Sequence, residues 1–136
     1  MARTFDGDAM QSILAVDDSV TMRQLIAWTL RGAGYHVIEA ADGADALAQA
    51  GANDVDLVIT DQNMPGMDGL ALTRSLRADA RLRDVPVLIL STDDDLDLKQ
   101  AARSAGATGW LTKPFEPQRL LEVIRKVAPP PGTMPC

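Results

Sequence analysis

The stretch LVITDQNMPGMDGL, residues 57–70, decides the class of fold. Its first four residues are apolar or β-branched, as in a strand buried on both faces, and this run ends abruptly on the carboxylate of Asp61. Pro65, Gly66 and Gly69 then supply a turn, and a helical pattern follows it. Because a charge is unfavourable inside a core, we expect this strand end to open into a polar site.

The order of strand, turn and helix is repeated along the chain. The predicted strands are SILAV (12–16), YHVIEA (35–40), DLVIT (56–60), VPVLILS (85–91) and TGWLT (108–112). The first predicted helix is capped by Ser19 and ends at Gly32 or Gly34. The other four predicted helices span residues 42–50, 69–79, 96–105 and 117–127. Five strands alternating with five helices predict an α/β fold, a doubly wound parallel sheet with helices on both faces.

The length of 136 residues suits one domain with its own core, which we expect to span residues 12–127. Residues 1–11 are predicted to be a leader, and the proline-rich residues 128–136 a flexible tail. The net charge of −6 argues against binding to nucleic acid or to an anionic membrane. No apolar run approaches the length that a membrane-spanning helix needs, and the leader lacks the apolar core of a signal peptide. Cys136 is the single cysteine, so no internal disulfide can form. A cytoplasmic protein is therefore expected.

Polar side chains follow four of the predicted strands. In open parallel sheets the functional crevice lies outside the carboxyl ends of the strands. The residues at these ends are Asp17 and Asp18, Asp61, Ser91 and Thr92, and Lys113 with Pro114. Three carboxylates, a hydroxyl and an ammonium are therefore expected to converge on one edge of the sheet.

Three clustered carboxylates repel one another unless a cation joins them. Because no histidine or cysteine accompanies them, Mg²⁺ fits this set better than zinc. The Lys113 ammonium and the Ser91 hydroxyl suit the oxygens of a phosphoryl group, and one of the carboxylates is a candidate nucleophile that would form an acyl phosphate.

Four segments carry these residues: VDDSVTMRQLI (16–26), DLVITDQNMPGMDGL (56–70), VPVLILST (85–92) and GATGWLTKPF (106–115). In this order and at these spacings they resemble the receiver domains of two-component response regulators, most closely the chemotaxis regulators of the CheY type. The resemblance covers about residues 12–127. It implies the flavodoxin-like strand order 2-1-3-4-5 known for that family, and a monomeric signalling switch rather than an enzyme, limited to magnesium-dependent self-phosphorylation and autodephosphorylation.

The resemblance also assigns roles around the acidic edge. It implies that Asp61 is the phosphoacceptor and that Asp18 and Asp61 bind Mg²⁺ directly. Asp17 would act mainly through water, and the backbone carbonyl of Asn63 would complete the protein ligands. Lys113 would pair with the phosphoryl group.

Further roles concern the switch. By resemblance, Ser91 moves toward the phosphoryl group and Trp110 takes the place of the aromatic residue, often tyrosine, that swings between outward and inward positions. Asn63 and Asp93 occupy the positions that tune phosphate lifetime. Gln62 departs from the chemotaxis prototype, which has tryptophan there.

Other interpretations of these residues remain open. Asp17 and Asp18 could cap the first helix, and Ser91 or Thr92 is expected to cap the helix that follows the fourth strand. The acidic run at residues 93–97 is expected to form the solvated first turn of that helix.

The implied partners are a CheA-like histidine kinase and the flagellar motor switch. The alternatives are a phosphate sink or relay in another pathway, a phosphatase of the haloacid dehalogenase type, and a protein that binds a flavin (as flavodoxins do) or a dinucleotide. The phosphatase needs an acid where this chain has Asn63, and the dinucleotide-binding protein needs a glycine-rich loop after the first strand.

Overall fold

The computed structural model describes residues 11–127, so the predicted tail with Cys136 and all of the predicted leader except Gln11 lie outside the described residues. The strands are β1 (Ser12–Val16), β2 (His36–Ala40), β3 (Leu57–Asp61), β4 (Val87–Ser91) and β5 (Gly109–Thr112). The helices are α1 (Val20–Gly32), α2 (Gly43–Ala52), α3 (Gly69–Ala78), α4 (Leu96–Ala105) and α5 (Pro117–Val127). The predicted alternation is confirmed, with strand limits that differ by at most two residues.

All neighbouring strands of the sheet are parallel, in the order β2-β1-β3-β4-β5. The flavodoxin-like strand order is therefore confirmed. In this register Asp61 lies opposite Leu90, and Ser91 lies opposite Thr112. Because parallel strands all point the same way, the residues that follow β1, β3, β4 and β5 share one edge of the sheet.

Two separate cores cover the two faces of the sheet. Successive residues of a strand point to opposite faces, so Ile13 lies in one core and Leu14 in the other. The first core lies under α1 and α5 and includes Ile26, Leu30 and Ile124; the second lies under α2, α3 and α4. The central strands β3 and β4 are buried along their whole length, which explains their uninterrupted apolar sequence.

Capping side chains define the start of the helices. Ser19 caps α1 as predicted, because its hydroxyl accepts a hydrogen bond from the Met22 N–H at 3.3 Å. The prediction that Ser91 or Thr92 caps α4 is wrong, since the carboxylate of Asp95 accepts from the Asp97 N–H at 3.0 Å and serves as that cap. The acidic run therefore lies mostly ahead of α4 rather than in its first turn. Among the described residues, none of the helices has the length and apolarity that crossing a membrane requires.

Candidate functional site

The three predicted carboxylates meet at the carboxyl edge of the sheet. Asp17 and Asp18 follow β1, and Asp61 is the last residue of β3. Val16 pairs with Thr60, so the ends of the two strands are adjacent. One oxygen atom from each of the three carboxylates lies within 4.8 Å of the others. The topology thus brings together two segments that are more than forty residues apart in sequence.

Lys113 completes the cluster from β5. Its Nζ lies 2.9 Å from Asp61 Oδ1 and 3.7 Å from Asp17 Oδ2. Its backbone N–H donates to the Ser91 carbonyl at 2.7 Å, which ties the start of the loop between β5 and α5 to the end of β4. The Lys113–Pro114 peptide bond that follows is cis. The lysine side chain is 14% exposed, so its charge interacts with the two carboxylates with little screening by water.

Asp17 is the most deeply buried of the three acids, with 1% of its surface exposed. Its Oδ1 accepts from the Ser19 N–H at 2.9 Å, whereas its Oδ2 is buried and has no hydrogen-bond partner among the described residues. Burial raises the pKa of Asp17 above the usual aspartate value; the Ser19 N–H and the Lys113 charge oppose this shift, and the charges of Asp61 and Asp18 add to it. The metal-free site therefore holds a carboxylate whose charge is incompletely compensated.

These donors fit a magnesium ion. Mg²⁺ prefers oxygen ligands, retains several water molecules and is commonly bound by one or two carboxylates. The cluster offers the Asp17 Oδ2, which has no hydrogen-bond partner among the described residues, together with the exposed Asp18 and the Asp61 carboxylate. Asn63 is two residues beyond Asp61 in the loop that follows β3, and it is exposed. A divalent cation would supply the positive charge that the buried carboxylates lack.

Ser91 and Asp93, predicted separately, are joined by a hydrogen bond. Ser91 is fully buried at the end of β4, and its Oγ accepts from the Asp93 N–H at 3.0 Å. The side chain of Asp93 turns away from this contact, because its Oδ1 accepts from the Asp95 N–H at 2.8 Å. A displacement of Ser91 would therefore act directly on the loop that leads into α4.

Trp110 lies in the middle of β5, opposite Ile89. It is partly buried and packs against the core that lies under α4. Its indole Nε1 is buried without a hydrogen-bond partner among the described residues. An unpaired donor in a buried position is unfavourable, so a rotation that gives this N–H an acceptor would be stabilised.

Two residues at the site carry no assigned function in the sequence analysis. Arg23 of α1 donates to the Asp17 carbonyl at 2.6 Å and forms an ion pair with Glu39 at 3.4 Å, which fixes the backbone beside the acids. Gln62 is 5% exposed and accepts from the Leu70 N–H at 3.1 Å. The sequence signal for Gln62 was its polarity directly after a buried strand; Arg23 gave no signal beyond a charge on a helix.

The model of the response regulator receiver domain family matches residues 13–125. The chain therefore belongs to the response regulator receiver domain family, a class of signalling switch. The chemotaxis protein CheY of Pseudomonas aeruginosa is 43% identical over 116 residues, which cover 85% of this chain and 94% of that relative.

Solved structures show the same likeness. The structure of the chemotaxis protein CheY4 of Vibrio cholerae matches this chain with a TM-score of 0.85 and 44% sequence identity. The match covers 88% of this chain and 99% of the CheY4 chain. The receiver domain of the sensor histidine kinase PA1611 from Pseudomonas aeruginosa, solved with a magnesium ion coordinated in its active-site cleft, matches with a TM-score of 0.80 and 31% identity. That match covers 88% of this chain and 98% of the other.

Proposed function

We propose that this receiver accepts a phosphoryl group on Asp61 from the phosphohistidine of a CheA-like histidine kinase. The observation that carries the proposal is the position of Asp61, 8% exposed at a strand end, with the Lys113 ammonium 2.9 Å from its carboxylate and two further acids beside it. A carboxylate held next to a cation and a metal-binding cluster suits phosphoryl transfer, because the incoming group is strongly anionic.

The chemistry requires only a displacement at phosphorus. An oxygen of the Asp61 carboxylate attacks, an O–P bond forms and the N–P bond of phosphohistidine breaks. The departing imidazole nitrogen keeps the bonding electron pair and takes up a proton from solvent. Lys113 then pairs with an oxygen of the new acyl phosphate, and Ser91 donates its hydroxyl hydrogen to another.

Magnesium would be held by Asp18, Asp61 and the Asn63 carbonyl, with Asp17 acting mainly through water. When bound, it neutralises negative charge between the carboxylates and the phosphoryl group. Asp17 Oδ2 has no hydrogen-bond partner among the described residues, and the pKa of Asp17 is raised; both observations support an acid set that is completed by a cation.

The output of the switch would be a change in the face formed by α4, β5 and α5. Movement of Ser91 toward the phosphoryl group would break its contact with the Asp93 N–H and release the loop before α4. Trp110 would rotate inward, which would give its indole N–H an opportunity to find an acceptor. Phosphorylation favours this conformer only by its preferential contacts with it.

Chemotaxis is the proposed pathway, because chemotaxis proteins match 85–88% of this chain and are themselves covered over 94–99% of their length. The proposed target is the flagellar motor switch, and the proposed location is the cytoplasm. Asn63 and Asp93 are proposed to tune the lifetime of the phosphate. The proposed receiver domain, residues 12–127, contains the matched residues 13–125.

Incubation with acetyl phosphate and magnesium, followed by intact mass measurement, tests the proposed function. We expect one phosphoryl addition that hydroxylamine removes and that metal chelation prevents. Asp61→Asn should abolish it, whereas Asp54→Asn, an exposed aspartate before β3 at the opposite edge of the sheet, should not. An unchanged mass for the parent protein would contradict phosphorylation on Asp61.

A second experiment separates the pathways. Phosphorylated protein should bind a peptide from a motor switch protein more tightly than the unmodified protein does. Equal binding of both forms, with continued draining of phosphate from the kinase, would favour a phosphate sink. Release of phosphate from unrelated phosphate esters over many turnovers would favour a phosphatase.

A further inference from the structure

Gln62 connects β3, β4 and α3 at the point where the acidic site begins. Its N–H donates to the Leu90 carbonyl at 2.8 Å, which ties the residue after β3 to β4. Its side chain is almost completely buried, with 5% of the residue exposed. The large majority of buried side-chain polar atoms in proteins have a hydrogen-bond partner.

The partners of Gln62 are backbone groups at the start of α3. The first four N–H groups of a helix have no acceptor within the helix. The Gln62 carbonyl accepts from Gly69 at 3.0 Å, and the Gln62 Oε1 accepts from Leu70 at 3.1 Å. Asp68, the capping residue, accepts from the Ala71 N–H through its Oδ1 at 2.8 Å. Gln62, which directly precedes the loop, therefore accepts hydrogen bonds from two of the four free N–H groups at the start of α3.

These two hydrogen bonds close residues 62–69 into a loop, which we call the 62–69 clamp. A Cβ atom built at Gly69 would lie 2.9 Å from the Asp61 carbonyl oxygen and 2.9 Å from Gln62 Oε1. Such distances are closer than real Cβ contacts, so the two ends of the clamp are packed with no spare room. Asn63, whose carbonyl is the proposed metal ligand, is the first residue inside the clamp.

We propose that Gln62 is a positioning residue for magnesium: its side chain, anchored to the Leu70 N–H, fixes the backbone that presents the Asn63 carbonyl to the ion. This inference rests on the proposed function and adds to it a residue that does not touch the metal. Groups that orient metal ligands from outside the coordination sphere typically contribute a factor of about 10–100 to affinity.

Gln62→Met tests the proposal, because methionine has a similar length and cannot accept the Leu70 hydrogen bond well. Calorimetric titration with magnesium chloride, without any phosphodonor, should show a dissociation constant about tenfold higher than that of the parent. With acetyl phosphate, the phosphorylation rate should fall at low magnesium and recover at saturating magnesium. A dissociation constant within about twofold of the parent would overturn the proposal.

Thr108→Val is the matched control. The Thr108 Oγ1 accepts from the Val87 N–H at 3.1 Å, so this variant removes the same kind of bond at the opposite edge of the sheet. It should lower stability without changing magnesium affinity. An equal loss of affinity in both variants would show that general destabilisation, rather than positioning by Gln62, is the cause.

A measurement on the unmodified protein covers the case in which Gln62→Met does not fold. Coupling between two sites is reciprocal. If breaking the clamp weakens magnesium binding about tenfold, then saturating magnesium should stabilise the closed clamp by the same factor. Hydrogen exchange at the Leu70 amide should therefore become about tenfold slower. The Val87 amide, bonded to Thr108, should be slowed less. Equal slowing of the two amides, or none at Leu70, would refute the proposal.

The two hypotheses fail in different ways. If the parent protein neither binds magnesium nor gains a phosphoryl group, the proposed function itself is wrong. If the parent does both and Gln62→Met binds magnesium equally well, only the positioning role is wrong.

Discussion

Lys113→Met should destabilise the protein far more without magnesium than with it. The substitution removes the one ammonium that lies 2.9 Å from Asp61 and 3.7 Å from Asp17, and it keeps most of the length of the side chain. Without a metal ion, two buried carboxylates would then face each other, with Asp18 nearby and without the ammonium that contacts both of them. With magnesium bound, the metal charge would replace that of the lysine.

The magnitude follows from the two distances. At an effective dielectric constant of about 20, the gross attraction is about 5.7 kcal/mol for the shorter pair and about 4.5 kcal/mol for the longer one. Desolvation of the charges offsets much of this, and removing one partner of a buried pair costs about 3–5 kcal/mol. We expect the lower limit, about 3 kcal/mol, in metal-free buffer, because burial already raises the pKa of Asp17 and the uncompensated charge can be relieved by protonation of that carboxylate.

Urea unfolding followed by circular dichroism, in chelator and in saturating magnesium, measures both values. With magnesium we expect the loss to shrink to about 1 kcal/mol, since the ion supplies the missing charge. The difference of about 2 kcal/mol corresponds by linkage to about 30-fold tighter magnesium binding by the variant. Calorimetric titration tests this second number independently.

The control is Lys126→Met, which removes an exposed lysine near the end of α5. This variant should change stability by less than about 0.5 kcal/mol in either medium. The reasoning would be refuted if Lys113→Met lost the same free energy of unfolding with and without magnesium, or if it bound magnesium more weakly than the parent. Either result would mean that Lys113 does not compensate the charges of the carboxylates.

The remaining predictions concern the acidic pocket and two glycines. Because the fold raises the pKa of Asp17, the folded state binds that proton more tightly than the unfolded chain does, and the stability of the metal-free protein should fall as pH rises through this pKa. Asp17→Asn should remove this dependence of stability on pH, and in chelator at neutral pH the variant should be more stable than the parent. Urea unfolding at several pH values measures both effects. An unaltered pH dependence in the variant would exclude Asp17 as its source. Gly69→Ala should destabilise by about 1–3 kcal/mol, since its Cβ would press on backbone at 2.9 Å. Gly51→Ala, in α2 with open space around it, should stabilise by about 0.4–1 kcal/mol, and thermal unfolding that ranked the two variants in the opposite order would contradict the packing argument.

Much of the fold could be predicted from local sequence patterns. The apolar runs of β3 and β4 are uninterrupted because helices cover both faces of these strands, and this pattern distinguishes a parallel sheet from an antiparallel one. The helix start at Ser19 follows from a side chain that bonds only to its own next turn. The exact strand order came from the resemblance to receiver domains, since periodicity contains no information on which strands are neighbours.

The position of the candidate site could also be predicted, because the carboxyl ends of parallel strands share one edge wherever the strands lie in the sheet. The sequence was less informative where one side chain had several possible partners. Ser91 and Asp95 are both suited to capping a helix, and only the three-dimensional path of the chain shows that Ser91 ends β4 while Asp95 precedes α4.

The sequence by itself determined the elements, the parallel class of the sheet and the set of charged residues at its edge, because each depends on residues close together in the chain. The tertiary structure decided which of these groups interact. The contacts of the Lys113 ammonium with Asp61 at 2.9 Å and with Asp17 at 3.7 Å join segments that are distant in sequence. The same packing buries Asp17 Oδ2 without a hydrogen-bond partner among the described residues. Distances and desolvation depend on that packing, and they determine how strongly the same charges attract, repel or bind an ion.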